Sequence, residues 1–386
     1  MGDRNTRKLV TVRRVSDVTL IEGSQHQIVT VDGWNIVVRG QRFQKGQLVV
    51  YIEIDSFLPC NHYFWEYGAY SNAQLGGEHG FLVATTMICK HLSQGLVFNL
   101  NTFQEISNML IRMKALWGAD IAEKEVMAMS FHGLLGVRKW EHVDHGDSTE
   151  SFGKPPIFFP QPGCQRAQNL PVLFRDRGGD TYQVTEKLDG IPMSIYAVNR
   201  SSRWYSALPP LPNNVQHIGT TRIGVCSRDQ DLAETSTSWF WRTAKQQRII
   251  EKIGQAGQNI VVQGELCGSS IMKNTAGFAP GEHRFYVFDI FDIDKQRYLR
   301  PDQVTNICSK LDWGHVPVLY NNIKLSAFAD NIEDLLVKAE GTGLKGEMRE
   351  GLVFKALDAS FYFKAISNSW LLETGKNRSN LIRYCL

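Results

Sequence analysis

From residue 8 to residue 100 the chain reads as short strands separated by turn signals. Residues 9–21, 26–40 and 47–59 alternate or run apolar, and Glu22-Gly23-Ser24, Asp32-Gly33 and Lys45-Gly46 separate them. Residues 81–90 and 95–100 supply two more runs. Asp32-Gly33 between two β-rich stretches predicts a tight hairpin with positive φ at both turn residues. This spacing predicts a small antiparallel barrel.

An OB-like β-barrel is the leading form of such a module. Past Thr102 the period changes, with Ile106, Met109, Leu110, Met113 and Leu116 at helical spacing. Residues 141–162 are polar and hold Gly and Pro, so they read as a linker or surface loop. His142 and His145 lie there with Asp144 and Asp147, a weak metal candidate set against a solvated loop. Beyond Asn169 the pattern is mixed: 182–198, 259–266 and 285–293 read as buried strands, 236–253 and 328–341 as helices, and 199–217 as an exposed insertion. The expected organisation is α+β: an OB module at 1–105, a helical and loop connector at 106–160, and a larger domain at 161–386.

Composition excludes whole classes. With 43% apolar and 21% charged residues the chain is neither disordered nor fibrous. A formal charge of +3 argues against a protein that coats polyanions, leaving a polyanion ligand possible only where charge gathers in one cleft. Seven cysteines without a C-x-x-C pair predict a reducing, intracellular setting rather than a disulfide scaffold or zinc ribbon. Met1-Gly2 with Thr6 fits only the loose myristoylation pattern, and no apolar run reaches membrane-span length. A soluble protein without a membrane partner is expected.

The chemistry centres on Glu186-Lys187-Leu188-Asp189-Gly190, at the end of a strand. Alone, K-x-D-G is a weak signal, equally a strand running into an Asp-Gly turn. Four later segments strengthen it: Val225–Arg228, Gly264–Leu266, Phe285–Asp289, and Glu350–Lys355 followed by Phe363-Lys364. In order and approximate spacing they resemble the motifs of the covalent nucleotidyltransferase superfamily of ligases and capping enzymes. The amino-terminal stretch with Val31–Val38, Gly46–Pro59 and Ser93–Leu96 is similar to the OB module of the Naegleria/Deinococcus-type RNA ligases. That resemblance implies an OB module followed by an adenylyltransferase domain of ATP-grasp-like antiparallel sheets and helices. It also implies ATP-dependent joining of a 3′-OH to a 5′-phosphate, with lysyl-AMP and adenylylated RNA as intermediates.

A lysine nucleophile must be unprotonated, yet a free lysine has a pKa of about 10.4. Lys187 therefore needs positive neighbours, and Lys355, Lys364 and a divalent cation are the candidates. The two lysines would also stabilise charge on the α-phosphate. By resemblance, Asp189, Glu265 and Glu350 hold a hydrated Mg2+ or Mn2+. Phe285 resembles the aromatic that stacks on adenine, with Tyr286 its competitor on the other strand face. Glu186 is placed at the adenine amine, and Arg228 at the ribose or the phosphate of the incoming strand. Relatives often show K-x-K in the last motif, whereas Tyr362 stands two residues before Lys364 here, so one cation is missing. Pro192 removes a further polar contact.

RNA and ATP are the expected partners, nicked duplex the expected substrate, and a monomer the expected state. Arg13, Arg14, Arg39, Arg42 and Lys45, with Trp34 and Phe43 between them, offer a basic and aromatic track, or equally a solvated face around a core. The rivals are a DNA ligase or capping enzyme, which carries its OB domain after the catalytic one, and a non-catalytic OB-type RNA-binding protein. Only 22 residues follow Lys364, and the intact lysine and carboxylate set argues against decay.

Overall fold

The structure is a computed structural model that describes residues 7–40, 42–70, 73–140, 150–208, 217–274 and 277–376. Met1, Gly2, Thr6, His142, Asp144, His145 and Asp147 lie outside the described residues, as does 209–216 of the expected insertion. Two units form, one drawn from Met1–Val143, Gln168–Pro171 and Asn368–Leu386, the other from Asp144–Ala167 and Val172–Ser367. No described helix is long and apolar enough to cross a membrane.

In the first unit β1 (Val10–Arg14), β5 (Leu48–Ile52) and β6 (Leu96–Asn99) form one antiparallel sheet, with β5 in the middle. A second is the meander of β2 (Asp17–Leu20), β3 (His26–Val31) and β4 (Trp34–Arg39). The expected Asp32-Gly33 turn joins β3 to β4, with φ of 48° and 82°. The 9–21 run is two strands rather than one, because adjacent amides serve different partners: Val15 N–H donates to the Gln47 carbonyl and Ser16 N–H to that of Thr30. The chain thereby passes from one sheet to the other. Trp34 and Phe43 are buried core residues, and Arg13 is buried in an ion pair with Asp32 at 2.6 Å. The exposed part of the expected track is Arg14, Arg39, Arg42 and Lys45.

Helices α1 (Gln104–Trp117) and α2 (Ala119–Ala128) break at Gly118, whose φ of 79° suits a residue without a Cβ. They press Ile106, Leu110, Met113, Ala122 and Val126 onto Val10, Val12, Val50 and Ile52. Burying each large aliphatic side chain contributes about 1.5–3 kcal/mol. The carboxy-terminal helix Asn368–Lys376 belongs to this unit, where Gln94 Nε2 donates to Asn368 Oδ1 at 3.1 Å.

The second unit contains two sheets. One includes β8 (Ile191–Asn199), β9 (Thr221–Cys226), β10 (Ile260–Gly268) and β11 (His283–Asp292), in the order β9-β8-β10-β11. The other includes β7 (Thr181–Lys187), β12 (Val318–Lys324), β13 (Gly351–Ala356) and β14 (Tyr362–Ile366), in the order β14-β13-β7-β12. One face of the first sheet, with Met193, Ile195, Val225, Val262, Phe285 and Val287, packs on α3 (Trp239–Gln246), α4 (Ile249–Ala256) and α5 (Pro301–Lys310). The single helix expected over 236–253 is two. Gln247 leaves the helix so that its amide bonds both the N–H and the carbonyl of Phe285, and Arg248 follows at φ 54°. The 199–217 insertion is not wholly exposed: Leu208 is buried, and the Trp204 ring lies tilted against Phe158 with centroids 5.8 Å apart.

Candidate active site

Strand alternation decides which residues meet. In the sheet of β7, β13 and β14, Lys187 is paired with Gly351, Val353 with Lys364, and Lys355 with Tyr362. Directly paired residues share a face, and so do residues two apart along a strand. Lys187, Lys364 and Lys355 therefore project from one side of the sheet, although up to 177 positions separate them in sequence. In the other sheet Pro192 and Tyr286 flank Glu265 in one row, on the face opposite the helix-covered core.

The nucleophile candidate is already engaged. Lys187 Nζ lies 2.7 Å from Glu350 Oε2, with side chains 21% and 9% exposed. Burial disfavours the ammonium, but Glu350, Glu265 and Asp189 together outweigh it and raise the pKa of Lys187 above the ordinary lysine value. The neighbouring side chains by themselves thus favour the ammonium, and the expected neutral amine depends on the positive charge of the divalent cation. Three carboxylates face this amine, and their field wins over desolvation. Glu265 bears the opposite consequence: burial pushes its carboxyl up to about 7, with Lys187 pulling down and Glu350 and Asp189 adding to the rise. Lys364 is brought down to about 8 by burial, helped by the charges of Lys187 and Arg166.

Not every expected residue reaches this centre. Lys355 is tied elsewhere: its ammonium donates to the Phe288 carbonyl and to Asp289 Oδ1 at 2.8 Å, so it braces the two sheets. Tyr362 stands beside it with its ring 5.9 Å from Tyr298. Phe285 is fully buried in the helix-side core, which corrects its assignment to adenine. It pairs with Leu266, whereas Tyr286 pairs with Glu265 and is half-buried on the site face. Glu186 points to the face opposite Lys187, and its Oε1 accepts the Leu344 N–H at 3.0 Å. It still lies close enough to Tyr286 for its charge to raise the phenol. Arg228 does reach the centre, drawing down the Glu265 carboxyl, and its Nε is buried without a hydrogen-bond partner.

One member escaped the sequence reading. Arg166, in the short strand Gln165–Arg166, pairs with Lys364 and adds a buried cation beside it. An isolated arginine after a Pro-rich linker has no period and no motif, so no sequence signal marked it.

Gly190 fixes the spacing of the carboxylates. A Cβ there would lie 2.5 Å from the Leu266 carbonyl oxygen and 2.8 Å from Glu265 Cγ. Gly190→Ala is expected to displace Glu265 and cut adenylylation roughly a hundredfold, while costing about 1–3 kcal/mol of stability. Label transfer and denaturant midpoints measure the two separately, and wild-type activity would contradict this geometry.

Three acidic side chains around one amine supply hard oxygen donors of the type that hold magnesium or manganese. Among the described residues no three His, Cys, Asp or Glu side chains converge closely enough to ligate an ion directly. The donor set thus fits an ion that keeps much of its water, with Asp189, Glu265 and Glu350 as its anchors.

Comparison with known proteins gives the arrangement its relatives. The RNA ligase family model matches residues 180–366, and an OB-fold domain model matches residues 9–100. No curated protein sequence matches the chain. Among solved structures, a variant of Naegleria gruberi RNA ligase with ATP and Mn is similar at 31% identity, covering 96% of this chain and 100% of that one, with a TM-score of 0.79. The complex of that ligase with PPi, and a variant with AMP and Mn, give the same values. With this identity over nearly the full length of both chains, the protein belongs to the RNA ligase family.

Proposed function

We propose that the chain is an ATP-dependent RNA ligase that seals 3′-OH and 5′-phosphate ends, nicked duplex above all, in three transfers. In the first, Lys187 Nζ forms a P–N bond to the α-phosphorus and the bond to the pyrophosphate oxygen breaks. In the second, a 5′-phosphate oxygen of the RNA takes the AMP and the P–N bond breaks, returning the amine. In the third, the 3′-OH attacks the 5′-phosphorus, the phosphodiester forms and AMP leaves. The observation that carries this reading is the Lys187–Glu350 pair at 2.7 Å, set among carboxylates with Lys364 on the same sheet face.

Lys187 starts as an ammonium and must lose its proton before it attacks. When bound at Asp189, Glu265 and Glu350, a divalent ion supplies positive charge that offsets those carboxylates and polarises the α-phosphate. Lys364 and Arg166 supply fixed positive charge for the phosphate oxygens. Lys355 holds the sheets together through Asp289, and Tyr286 rather than Phe285 offers a ring to the adenine. Arg228 takes the phosphate or ribose of the incoming strand. The basic residues Arg14, Arg39, Arg42 and Lys45 of the first unit give the RNA backbone its track. The protein acts as a monomer, and its six described free cysteines suit a reducing, intracellular setting.

Incubation with α-labelled ATP and Mg2+ or Mn2+ tests the assignment. An acid-labile label on the peptide containing Lys187, discharged by nicked 5′-phosphorylated RNA duplex, is the expected result. A protein that takes up no label, or carries it on another residue, would sink the reading.

The pH profile has a worked sign. Glu265 binds a cation only when ionised, so the first transfer should rise as pH passes about 7. Lys364 holds phosphate only when charged, so its contribution should be lost as pH passes about 8. Because Lys187 must also shed its proton, kcat/KM is expected to rise steeply below about 7, less steeply to about 8, and to flatten above it. Lys364→Arg should keep the profile rising above about 8, because a guanidinium keeps its charge. Profiles that flatten alike in the two proteins would remove Lys364 from the assignment.

A further inference from the structure

Below the site lies a buried polar chain that the three transfers do not use. Tyr196 donates its hydroxyl to Asp231 Oδ2 at 2.9 Å, the Cys226 thiol donates to Asp231 Oδ1 at 3.6 Å, and Arg222 Nη2 donates to the Tyr196 oxygen at 3.4 Å. Tyr196, Cys226 and Asp231 are each no more than 1% exposed. Tyr196 and Cys226 belong to an apolar cluster with Phe158, Phe159, Val198 and Val261. Placing a carboxyl among such neighbours costs free energy that an apolar pair closing the same hairpin would not. The backbone is also shaped around it. A Cβ on Gly224 would lie 2.0 Å from Tyr196 Cζ and 2.2 Å from its oxygen, so only glycine lets the phenol lie across β9.

The position of this chain shows what it serves. Cys226, Ser194 and Gln263 form one row across β9, β8 and β10, and Pro192 with Glu265 forms the next row toward the site. Two residues past Cys226 comes Arg228, in the turn whose Ser227 N–H donates to Gln230 O at 2.9 Å and whose Gln230 N–H donates to Ser227 Oγ at 3.2 Å. The turn closes where Asp231 pairs with Cys226. Both stems of the Arg228 turn are thus joined at their base by the Asp231 carboxyl, which is bolted in turn to β8 through Tyr196. Arg228 itself has a buried Nε without a partner, and its charge reaches Glu265.

We infer that Asp231, with Tyr196 and Cys226, is a positioning residue that presents the Arg228 guanidinium to phosphate charge at the Glu265 end of the site. The inference rests on the assignment of Arg228 to that phosphate or ribose. A guanidinium must arrive in a set orientation to make paired hydrogen bonds, and a two-stranded turn without the carboxyl clamp would let it swing.

The test resolves three rates: protein adenylylation, AMP transfer to a nicked 5′-phosphorylated RNA duplex, and sealing of a strand supplied already adenylylated. Arg228→Ala, Tyr196→Phe, Asp231→Asn and the double variant Arg228→Ala/Tyr196→Phe are compared. Tyr196→Phe is expected to slow the same step as Arg228→Ala by about tenfold, in kcat rather than in KM for ATP. Asp231→Asn, which keeps an acceptor for the phenol, should be milder. The double variant should be no slower than Arg228→Ala alone, since the clamp has then nothing to aim. A double variant whose loss is the product of the two single losses would overturn the positioning role while leaving Arg228 in place. Wild-type rates in all three assays for Arg228→Ala would instead remove the Arg228 assignment, and the inference with it.

Discussion

Lys187→Ala should carry no label from ATP yet still close a nick whose 5′ end already bears AMP. The two halves of this outcome separate nucleophile from scaffold. Without the amine there is no P–N bond to form, so adenylylation should fall on the order of ten-thousandfold or more, as losing a nucleophile does elsewhere. The third transfer needs no attack by the lysine. Lys364 and Arg166 remain to hold the phosphate, so sealing of the pre-adenylylated strand should stay within about tenfold of wild type. Loss of the third transfer as well would mean that Lys187 also stabilises its transition state, or that Glu350, left unpaired, rearranges. Urea unfolding of the variant distinguishes these, because the rearrangement alone costs stability.

The next largest effect is expected from Glu350→Gln, where two consequences run in opposite directions. Glu350 is the nearest of the carboxylates that hold the Lys187 amine protonated. Neutralising it lowers the pKa of Lys187, so more amine is free at a given pH. An amine-acylating reagent should therefore label Lys187 faster in the variant than in wild type. Adenylylation should nonetheless drop roughly a hundred- to a thousandfold, because the divalent ion loses an anchor and the lysine loses its direction. Stability should fall by about 1–3 kcal/mol, the cost of a partly buried ammonium left with a weaker partner. If adenylylation rose with reagent labelling, proton removal alone would limit the reaction and the cation-anchoring role of Glu350 would be wrong.

The contrast between what was legible and what was not follows from the range of the forces involved. Local chemistry is read directly from neighbouring residues. The Asp32-Gly33 hairpin, the α1 stripe of Ile106, Leu110 and Met113, and a strand end at Lys187 appear where their patterns placed them, but the 182–198 run is two strands, β7 and β8, which part at Asp189-Gly190 and join different sheets. The set of Lys187, Asp189, Glu265, Glu350 and Lys364 was also legible, because each member sits in a motif whose spacing survives in the linear chain. Tyr286 and Phe285 were indistinguishable in that way. Both are aromatic, both lie in one strand, and the choice between them is a choice of face, settled only by the register that pairs Tyr286 with Glu265.

Chain order thus pointed to the succession of strands, the barrel followed by two-sheet architecture, and a lysine gathered with most of its acidic neighbours. Those properties depend on side-chain type and on periods of two or 3.6 residues, which a one-dimensional string retains. Folding alone decided the ring of carboxylates around Lys187, the diversion of Lys355 to Asp289, the arrival of Arg166 beside Lys364, and the buried contact of Tyr196 with Asp231. Each of these is a through-space balance of Coulomb attraction against lost hydration. Such energies vary with distance and burial, and neither exists until the sheets have closed on one another.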